Sequence, residues 1–190
     1  IMADGTLKVG TITTSSGSGT ITLGQSGETV DMANGSITLN SGMKSTPAFQ
    51  AYLSGDQAIS NGSVTKVTFD TEDFDTDSCY DNSTNYRFTP NVAGKYYISV
   101  TVTNDTTSGN HLQTQARLNK NGSNIMNRII DMAGNPGEAA TVKADIIVDM
   151  NGSSDYVEAY AYSSLNDNGN GKIQSGSYRS AFLGYKVIGI

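Results

Sequence analysis

Hydrophobic and polar residues alternate most regularly between Lys95 and Thr103. One set of alternate positions is aromatic or aliphatic and consists of Tyr96, Ile98, Val100 and Val102. The intervening positions are Tyr97, Ser99, Thr101 and Thr103. A period of two over this length is typical of a β-strand that buries one face. The pattern therefore predicts a central strand with its aliphatic face in a core.

Shorter alternating segments follow one another from Pro47 onward, and no segment has a helical period. The further predicted strands are 48–53, 64–69, 86–88, 111–119, 125–130, 140–150, 156–162 and 181–190. Asn-Gly pairs at Asn61, Asn121 and Asn151 lie between predicted strands, and this pair favours tight turns. Many short strands separated by turns predict an all-β fold, a β-sandwich of the jelly-roll type.

Two of these strands have an unusual distribution of apolar residues. The last one, 181–190, is apolar on both faces, which is typical of a strand buried on both sides or placed at a subunit contact. The strand 156–162 has Tyr156, Tyr160 and Tyr162 on one face and small residues on the other.

Residues 1–46 have a different pattern. Short apolar pairs, such as Ile21/Leu23 and Ile37/Leu39, recur between stretches of Ser, Thr and Gly. Two apolar residues per strand cannot form a core alone, but stacked copies of the segment could form a thin β-shaft. We therefore predict an N-terminal assembly arm over 1–46 and a folded head over 47–190. A flexible Gly/Ser linker is the alternative for the arm.

Composition narrows the range of partners. The chain has 190 residues, a net charge of −6 and a pI of about 4.6. Nucleic-acid binding needs clustered Lys and Arg, so we expect no nucleic-acid partner. No apolar run approaches the ~18 residues of a membrane span, and no signal peptide is visible, so we expect no membrane insertion. The hydrophobic fraction of 36% leaves a thin core for a monomer and favours burial between subunits.

Residues with catalytic chemistry are few. His111 is the only histidine and Cys79 the only cysteine. A single histidine excludes a metal site built from several histidines, and a single cysteine excludes an internal disulfide. Asp77 and Asp81 near Cys79 would raise the pKa of its thiol, which disfavours a nucleophile. The sequence does not place two carboxylates at the defined distance that a glycosidase needs for its acid pair. We therefore expect no enzymatic activity.

Carboxylates crowd one segment before the central strand. They are Asp70, Glu72, Asp73, Asp75, Asp77 and Asp81. Crowded carboxylates repel each other unless they are solvated, protonated or bridged by a cation, and Ca²⁺ prefers oxygen ligands of this kind. The candidate calcium ligands are Asp73, Asp75 and Asp77. A solvated acidic loop without a metal is the alternative.

Two polar segments, 104–110 and 166–172, are candidates for binding loops. The second resembles a calcium-binding loop, but Ser177 stands where such a loop needs a bidentate Glu. Exposed loops on a rigid sandwich often carry recognition, while ordinary exposed turns are the alternative. The candidate contact residues are Asn104, Asp105, Asn110, Asn166, Asp167, Asn168 and Asn170.

The spacing of aromatic residues around the central strand follows a family pattern. Phe69 is followed after five residues by Asp75, and Tyr80 comes four residues later. Seven residues separate Tyr80 from Phe88, and five separate Phe88 from Gly94. Tyr96 stands two positions after Gly94. With the closing run Phe182-Leu183-Gly184, this stretch resembles the globular head of complement component 1q, which shares the tumour-necrosis-factor jelly roll. The sequence departs from the family pattern by one extra residue before Phe88 and by aliphatic residues at Ile98 and Val100.

The resemblance covers roughly 48–190 and implies a homotrimeric jelly roll. The residues expected at the trimer contact are Tyr156, Tyr160, Tyr162, Phe182 and Tyr185. The arm has no collagen-like repeat; its segments, such as 10–15 and 19–24, are similar to the N-terminal pieces of bacteriophage virion proteins.

Together these resemblances imply a bacteriophage fibre or appendage protein, made in the host cytoplasm and assembled into the virion. The arm would bind other virion proteins, and the trimeric head would bind a host surface glycan or protein. A capsid-decoration protein without a receptor and a secreted lectin-like module are alternatives. A carbohydrate-active enzyme is a further alternative, although no acid/base pair supports it.

Overall fold

The head is a sandwich of two antiparallel β-sheets. The computed structural model describes residues 44–106 and 108–188. The strands in these residues are β1 (Ala48–Tyr52), β2 (Gln57–Ile59), β3 (Ser63–Lys66), β4 (Thr71–Asp75), β5 (Tyr80–Asp81), β6 (Arg87–Phe88), β7 (Gly94–Thr106), β8 (His111–Lys120), β9 (Ser123–Asp131), β10 (Ala139–Met150), β11 (Val157–Leu165), β12 (Gly171–Ile173) and β13 (Ala181–Lys186). The predicted all-β jelly roll is confirmed.

The first sheet, sheet A, is built around β7. Its strand order is β2-β12-β7-β13-β1-β4, and β10 pairs with the other side of β7. The second sheet, sheet B, has the order β5-β6-β11-β8-β9, and β3 also pairs with β11. The predicted arm, 1–46, lies almost entirely outside the described residues. None of the described residues form a helix that could span a membrane.

The central strand was predicted correctly because its alternation matches its burial. Tyr96, Ile98, Val100 and Val102 are all fully buried between the sheets. The strand extends further than expected, to Thr106, because β10 pairs with it over almost its whole length. Long antiparallel pairing satisfies the backbone groups of both strands, so polar residues near the end of β7 also remain in the sheet.

Aromatic rings fill the centre of the sandwich. The ring of Phe49 lies 4.8 Å from Tyr80, 4.5 Å from Phe88 and 4.9 Å from Phe182, measured between centroids. Pairs of this kind contribute about 0.5–1.5 kcal/mol each beyond the area that they bury. The four rings come from strands of both sheets, so they join the two layers of the head.

The acidic segment is partly a strand rather than a loop. The predicted strand 64–69 ends at Lys66, and the chain then crosses from sheet B to sheet A. Val67 and Phe69 are fully buried at this crossing. The next residues form β4, which pairs with β1 at the edge of sheet A through a register shift. Polar composition alone suggested a turn here, but pairing with β1 decides the conformation.

Candidate functional site

The two predicted binding loops lie side by side at one end of the sandwich. The backbone N–H of Asn110 donates to the Oδ1 of Asn166 at 2.9 Å, and the N–H of Asn166 donates to the carbonyl of Asn110 at 3.0 Å. The Nδ2 of Asn61 donates to the carbonyl of Asp167 at 2.7 Å, which adds a third turn to this end. Asn166, Asn168 and Asn170 are exposed there.

Two of the predicted loop residues lie in β7 instead. Asn104 is fully buried, and neither polar atom of its side chain has a hydrogen-bond partner among the described residues. Its prediction as an exposed contact residue is therefore wrong, because β10 and β12 extend the sheet past it. Asp105 points the other way, and its Oδ2 accepts a hydrogen bond from the Nε2 of Gln174 at 2.6 Å.

A surface cavity of about 290 Å³ opens beside Asp105. It is lined by Asp56, Gln174, Ser175, Tyr178 and Arg179. Most of these residues belong to the turn between β12 and β13. We call this feature the turn cavity.

Hydrogen bonds fix the polar lining of the turn cavity. The backbone N–H and the hydroxyl of Ser175 donate to the Oδ1 of Asp56 at 2.9 and 3.0 Å. Lys172 binds the Oδ2 of Asp56 at 2.9 Å and lies 3.6 Å from the Oδ2 of Asp105. The hydrogen bond from Lys172 is the main reason that the pKa of Asp56 is lowered to about 2, and the N–H of Ser175 adds to it.

Sequence reasoning missed the turn cavity although a signal was present. The run Ser175-Gly176-Ser177-Tyr178-Arg179 places an aromatic residue and a cation inside a turn otherwise made of Ser and Gly. Asp56 lies 119 positions before Ser175, and only the fold brings the two residues together. Among the predicted contact residues, Asp105 alone takes part in the network that supports this cavity.

The acidic segment does not form a metal site. Within 44–106 and 108–188, no group of three or more His, Cys, Asp or Glu side chains is placed to hold a metal ion. Protein donors bind the three candidate calcium ligands separately: Gln50 binds Asp73, the N–H of Tyr80 binds Asp75, and the hydroxyl of Thr76 binds Asp77. The structure therefore does not bring Asp73, Asp75 and Asp77 together as one metal site.

The residues with nucleophilic or basic chemistry are buried. His111 is fully buried, and its Nδ1 lies 2.8 Å from the Oγ of Ser163. Burial lowers the pKa of His111 and raises the pKa of the Cys79 thiol, so the neutral form of each is favoured. Neither side chain reaches the turn cavity, since neither lines it.

The five predicted trimer contacts do not share one surface. Tyr160 and Tyr162 lie on the outer face of sheet B, opposite Arg117 and Gln115 of β8. Tyr185 lies on the outer face of sheet A, where it pairs with Tyr97. Phe182 has no exposed surface, and it packs between the sheets. Its side chain is unavailable to a partner, because it points inward on β13.

Tyr156 lies just before β11, and the guanidinium of Arg87 stacks on its ring at 4.3 Å. The tyrosine face of sheet B is largely polar. Lys66 forms a salt bridge with Glu158 at 2.5 Å, and the hydroxyl of Tyr160 donates to the same carboxylate at 3.1 Å.

The outer face of sheet A is apolar over several strands. Phe74, Ile147 and Tyr185 are 46%, 52% and 42% exposed. Strand register places all three on the same side of the sheet, with Leu183 and Tyr97 between them. The rings of Tyr97 and Tyr185 lie 5.4 Å apart. We call these five residues the sheet A patch.

Solved structures of other proteins share this fold. Murine APRIL at pH 5.0 has a TM-score of 0.56 and 8% identity, over 74% of this chain and 98% of its own. Eiger TNF from S. frugiperda has a TM-score of 0.53 and 10% identity, over 75% of this chain and 93% of its own. At this identity the likeness shows the fold alone. No curated protein matches the chain significantly.

The aromatic residues that carried the sequence resemblance lie in the core. Phe69, Phe88, Tyr96 and Phe182 are fully buried. Gly184 is needed beside Phe182 because a Cβ at that position would lie 2.6 Å from the Cδ1 of Ile98. The C1q domain matches residues 48–187, which include every strand from β1 to β13. The chain therefore belongs to the C1q domain family.

Proposed function

We propose that the chain is the homotrimeric recognition head of a bacteriophage fibre or appendage, and that it acts by binding rather than by catalysis. The observation that carries the proposal is the sheet A patch, because large exposed apolar patches mark interaction surfaces. The N-terminal arm would dock the head to other virion proteins. The loops and cavity at the exposed ends would bind a glycan or protein of the host surface.

A homotrimer gives the sheet A patch a partner. The patch spans β4, β1, β13, β7 and β10, with the polar Gln50 of β1 between Phe74 and Leu183. Its five members carry no charge, and the Lys95–Asp149 salt bridge borders it on the same face. The outer face of sheet B also exposes Val64 and Ile129, but its tyrosines lie beside the Lys66–Glu158 salt bridge and the Arg117–Gln115 hydrogen bonds, which form within one protomer. Membership of the C1q family also supports a trimer. Sheet A, not the tyrosine face of sheet B, is therefore the proposed contact.

Placing a lysine in the patch tests this contact. We expect the full chain to have a solution mass of three times the 20.0 kDa of one chain. Tyr185→Lys should shift the mass measured by light scattering toward the monomer, because a buried ammonium without a partner is costly. Val64→Lys is the matched control, since Val64 is 45% exposed on the outer face of sheet B.

A monomeric mass for the unmodified chain would contradict the homotrimer. Loss of the trimer in Val64→Lys, with Tyr185→Lys unaffected, would move the contact to the tyrosine face of sheet B.

Recognition by a trimer would depend on avidity. Three weak sites on one rigid head bind a repetitive surface far more tightly than one site does, without any new contact. The loop end and the turn cavity both present polar groups that hydrogen bonds already hold in position. No step of this mechanism needs a nucleophile, a metal or a cofactor.

Blocking of adsorption tests the biological role. Purified head, added in excess, should compete with virions for the host surface and lower the adsorption rate. The same amount of the monomeric Tyr185→Lys head should block much less, because it lacks avidity. Equal adsorption with and without the unmodified head would contradict receptor binding, and failure to find the chain in purified virions would contradict the virion role.

A further inference from the structure

Tyr178 is exposed, but the backbone of the turn that carries it is held in place. Its side chain is 84% exposed, so it contributes little to the core. The turn that carries it is nonetheless tied to the sandwich. The N–H of Gly176 donates to the carbonyl of Leu53, and the N–H groups of Arg179 and Ser180 both donate to the carbonyl of Gly176, each at 3.0 Å. Because the backbone of this turn is already ordered and a tyrosine side chain has only two rotatable angles, packing a ligand against the ring costs little entropy.

The guanidinium beside this ring has one hydrogen-bond partner in the turn. Arg179 donates through Nη1 to the Oε1 of Gln174, and the amide of Gln174 is itself anchored on Asp105. The carbonyl of Arg179 accepts a hydrogen bond from the hydroxyl of Thr103 at 2.8 Å. Arg179 forms no salt bridge with any carboxylate in the described part of the chain. Its remaining N–H groups are therefore available to an acceptor in the turn cavity.

Charges around the cavity are balanced. Lys172 and Arg179 supply two cations, and Asp56 and Asp105 supply two carboxylates. Charges that cancel exert little long-range attraction on an ion. The cavity still offers fixed donors and acceptors at short range, which suit a neutral ligand with many hydroxyl groups.

We infer that the turn cavity binds a neutral sugar residue of a surface glycan. The ring of Tyr178 would pack against the C–H face of the sugar, Arg179 would donate to its oxygens, and the Oδ2 of Asp56 would accept from a hydroxyl. The volume of about 290 Å³ lies at the lower end of the ~300–1,000 Å³ of small-molecule sites, which fits one sugar residue rather than a long chain. This inference rests on the proposed recognition role and names the ligand class for it.

Saturation-transfer NMR on the full chain tests the inference. The probes are the methyl glycosides of glucose, galactose, mannose and N-acetylglucosamine, with methyl glucuronide as the charged comparator. We expect transfer to at least one neutral glycoside at about 50 mM, well above the ~1 mM Kd of a weak single site. Tyr178→Ala and Arg179→Ala should each weaken that binding about tenfold or more, as is usual for aromatic and arginine anchors.

Tyr156→Ala is the matched control. It removes a tyrosine that also stacks with an arginine, Arg87, but that does not line the turn cavity. Binding should be unchanged in this variant. Absence of transfer to every neutral glycoside, transfer to methyl glucuronide alone, or binding that survives Tyr178→Ala would each overturn the inference.

Blocking of virion adsorption by the unmodified and Tyr178→Ala heads distinguishes a failure of this inference from a failure of the proposed function. If Tyr178→Ala and unmodified heads block virion adsorption equally, the sugar site is wrong while the recognition role stands. If neither head blocks adsorption but the glycoside binds through Tyr178, the sugar site stands and the receptor role is wrong.

Discussion

At the scale of single residues, His111 makes the head sensitive to mild acid. The ring is fully buried and its pKa is lowered by burial. In the unfolded chain it takes up a proton near the ordinary pKa of ~6.5, whereas the folded chain takes up that proton only at lower pH. The unfolded state therefore binds more protons in this range, and stability falls as the pH drops below ~6.5.

Replacing His111 tests this origin of acid sensitivity. We expect the melting temperature of the unmodified head to fall between about pH 7 and pH 5, and that fall to be smaller in His111→Gln. Calorimetry across this pH range measures both. A fall of the same size in His111→Gln would assign the acid sensitivity to the carboxylates instead.

Alanine substitutions at Gly62 and Gly152 can distinguish the cost of backbone strain from the cost of a steric clash. Gly62 and Gly152 have nearly the same φ, 72° and 71°. A Cβ at Gly62 would meet nothing within 4 Å, while a Cβ at Gly152 would lie 2.2 Å from the backbone nitrogen of Ala93. Gly62→Ala should cost about 1–2 kcal/mol, the penalty of the left-handed conformation alone.

Gly152→Ala should cost several kcal/mol more, because backbone cannot move aside as a flexible side chain can. Urea unfolding of the two variants measures the difference. Equal losses of unfolding free energy would show that the 152 turn relaxes away from Ala93.

At the scale of elements, β13 has two faces with different functions. Phe182 packs against Phe49 and Phe69 in the core, while Tyr185 lies in the sheet A patch. Phe182→Ala should lower the free energy of unfolding by about 3–5 kcal/mol. Tyr185→Ala should weaken assembly but change the unfolding of the protomer by less than about 1.5 kcal/mol.

Denaturant unfolding under conditions where the protomers are dissociated measures both values. Similar losses of unfolding free energy in Phe182→Ala and Tyr185→Ala would show that both faces of β13 stabilise the protomer to the same extent, which would contradict the expectation.

The sequence predicted the elements best where pattern and burial coincide. In β10 every second residue from Val142 to Met150 is apolar, which predicts an inward face. Val142, Ala144 and Met150 are buried there, and Ile146 and Val148 are partly buried against the core. β4 was missed because its residues are acidic, and only its pairing with β1 makes them a strand. Asn104 was misplaced for a related reason, since a polar residue at the end of β7 is buried by neighbours that are distant in sequence.

The candidate site was much less predictable than the fold. Asp56 and Tyr178 line the same cavity only because β2 pairs with β12. Local sequence carries no information about that pairing. Likewise, Tyr156, Tyr160 and Tyr162 are separated by multiples of two residues, which places them on one face of a strand. That spacing does not indicate which sheet contacts a partner. Alternation shows which residues share a face, but not whether other side chains of the same protomer already satisfy that face.

At the scale of the whole molecule, assembly should not depend on calcium. Each carboxylate proposed as a ligand accepts a hydrogen bond from the protein instead. We expect a chelator to change neither the solution mass nor the melting temperature of the head. Dissociation of the trimer after chelation, reversed by added Ca²⁺, would contradict this expectation.

The position of β13 in sheet A also determines when the head can fold. This strand lies between β1 and β7, so the last of the described strands in chain order occupies the middle of the sheet. A nascent chain that has not reached residue 186 has two unpaired strand edges and no Phe182 in its core. We therefore expect the head to fold only after β13 has left the ribosome, and we expect prematurely terminated chains to be excluded from assembly.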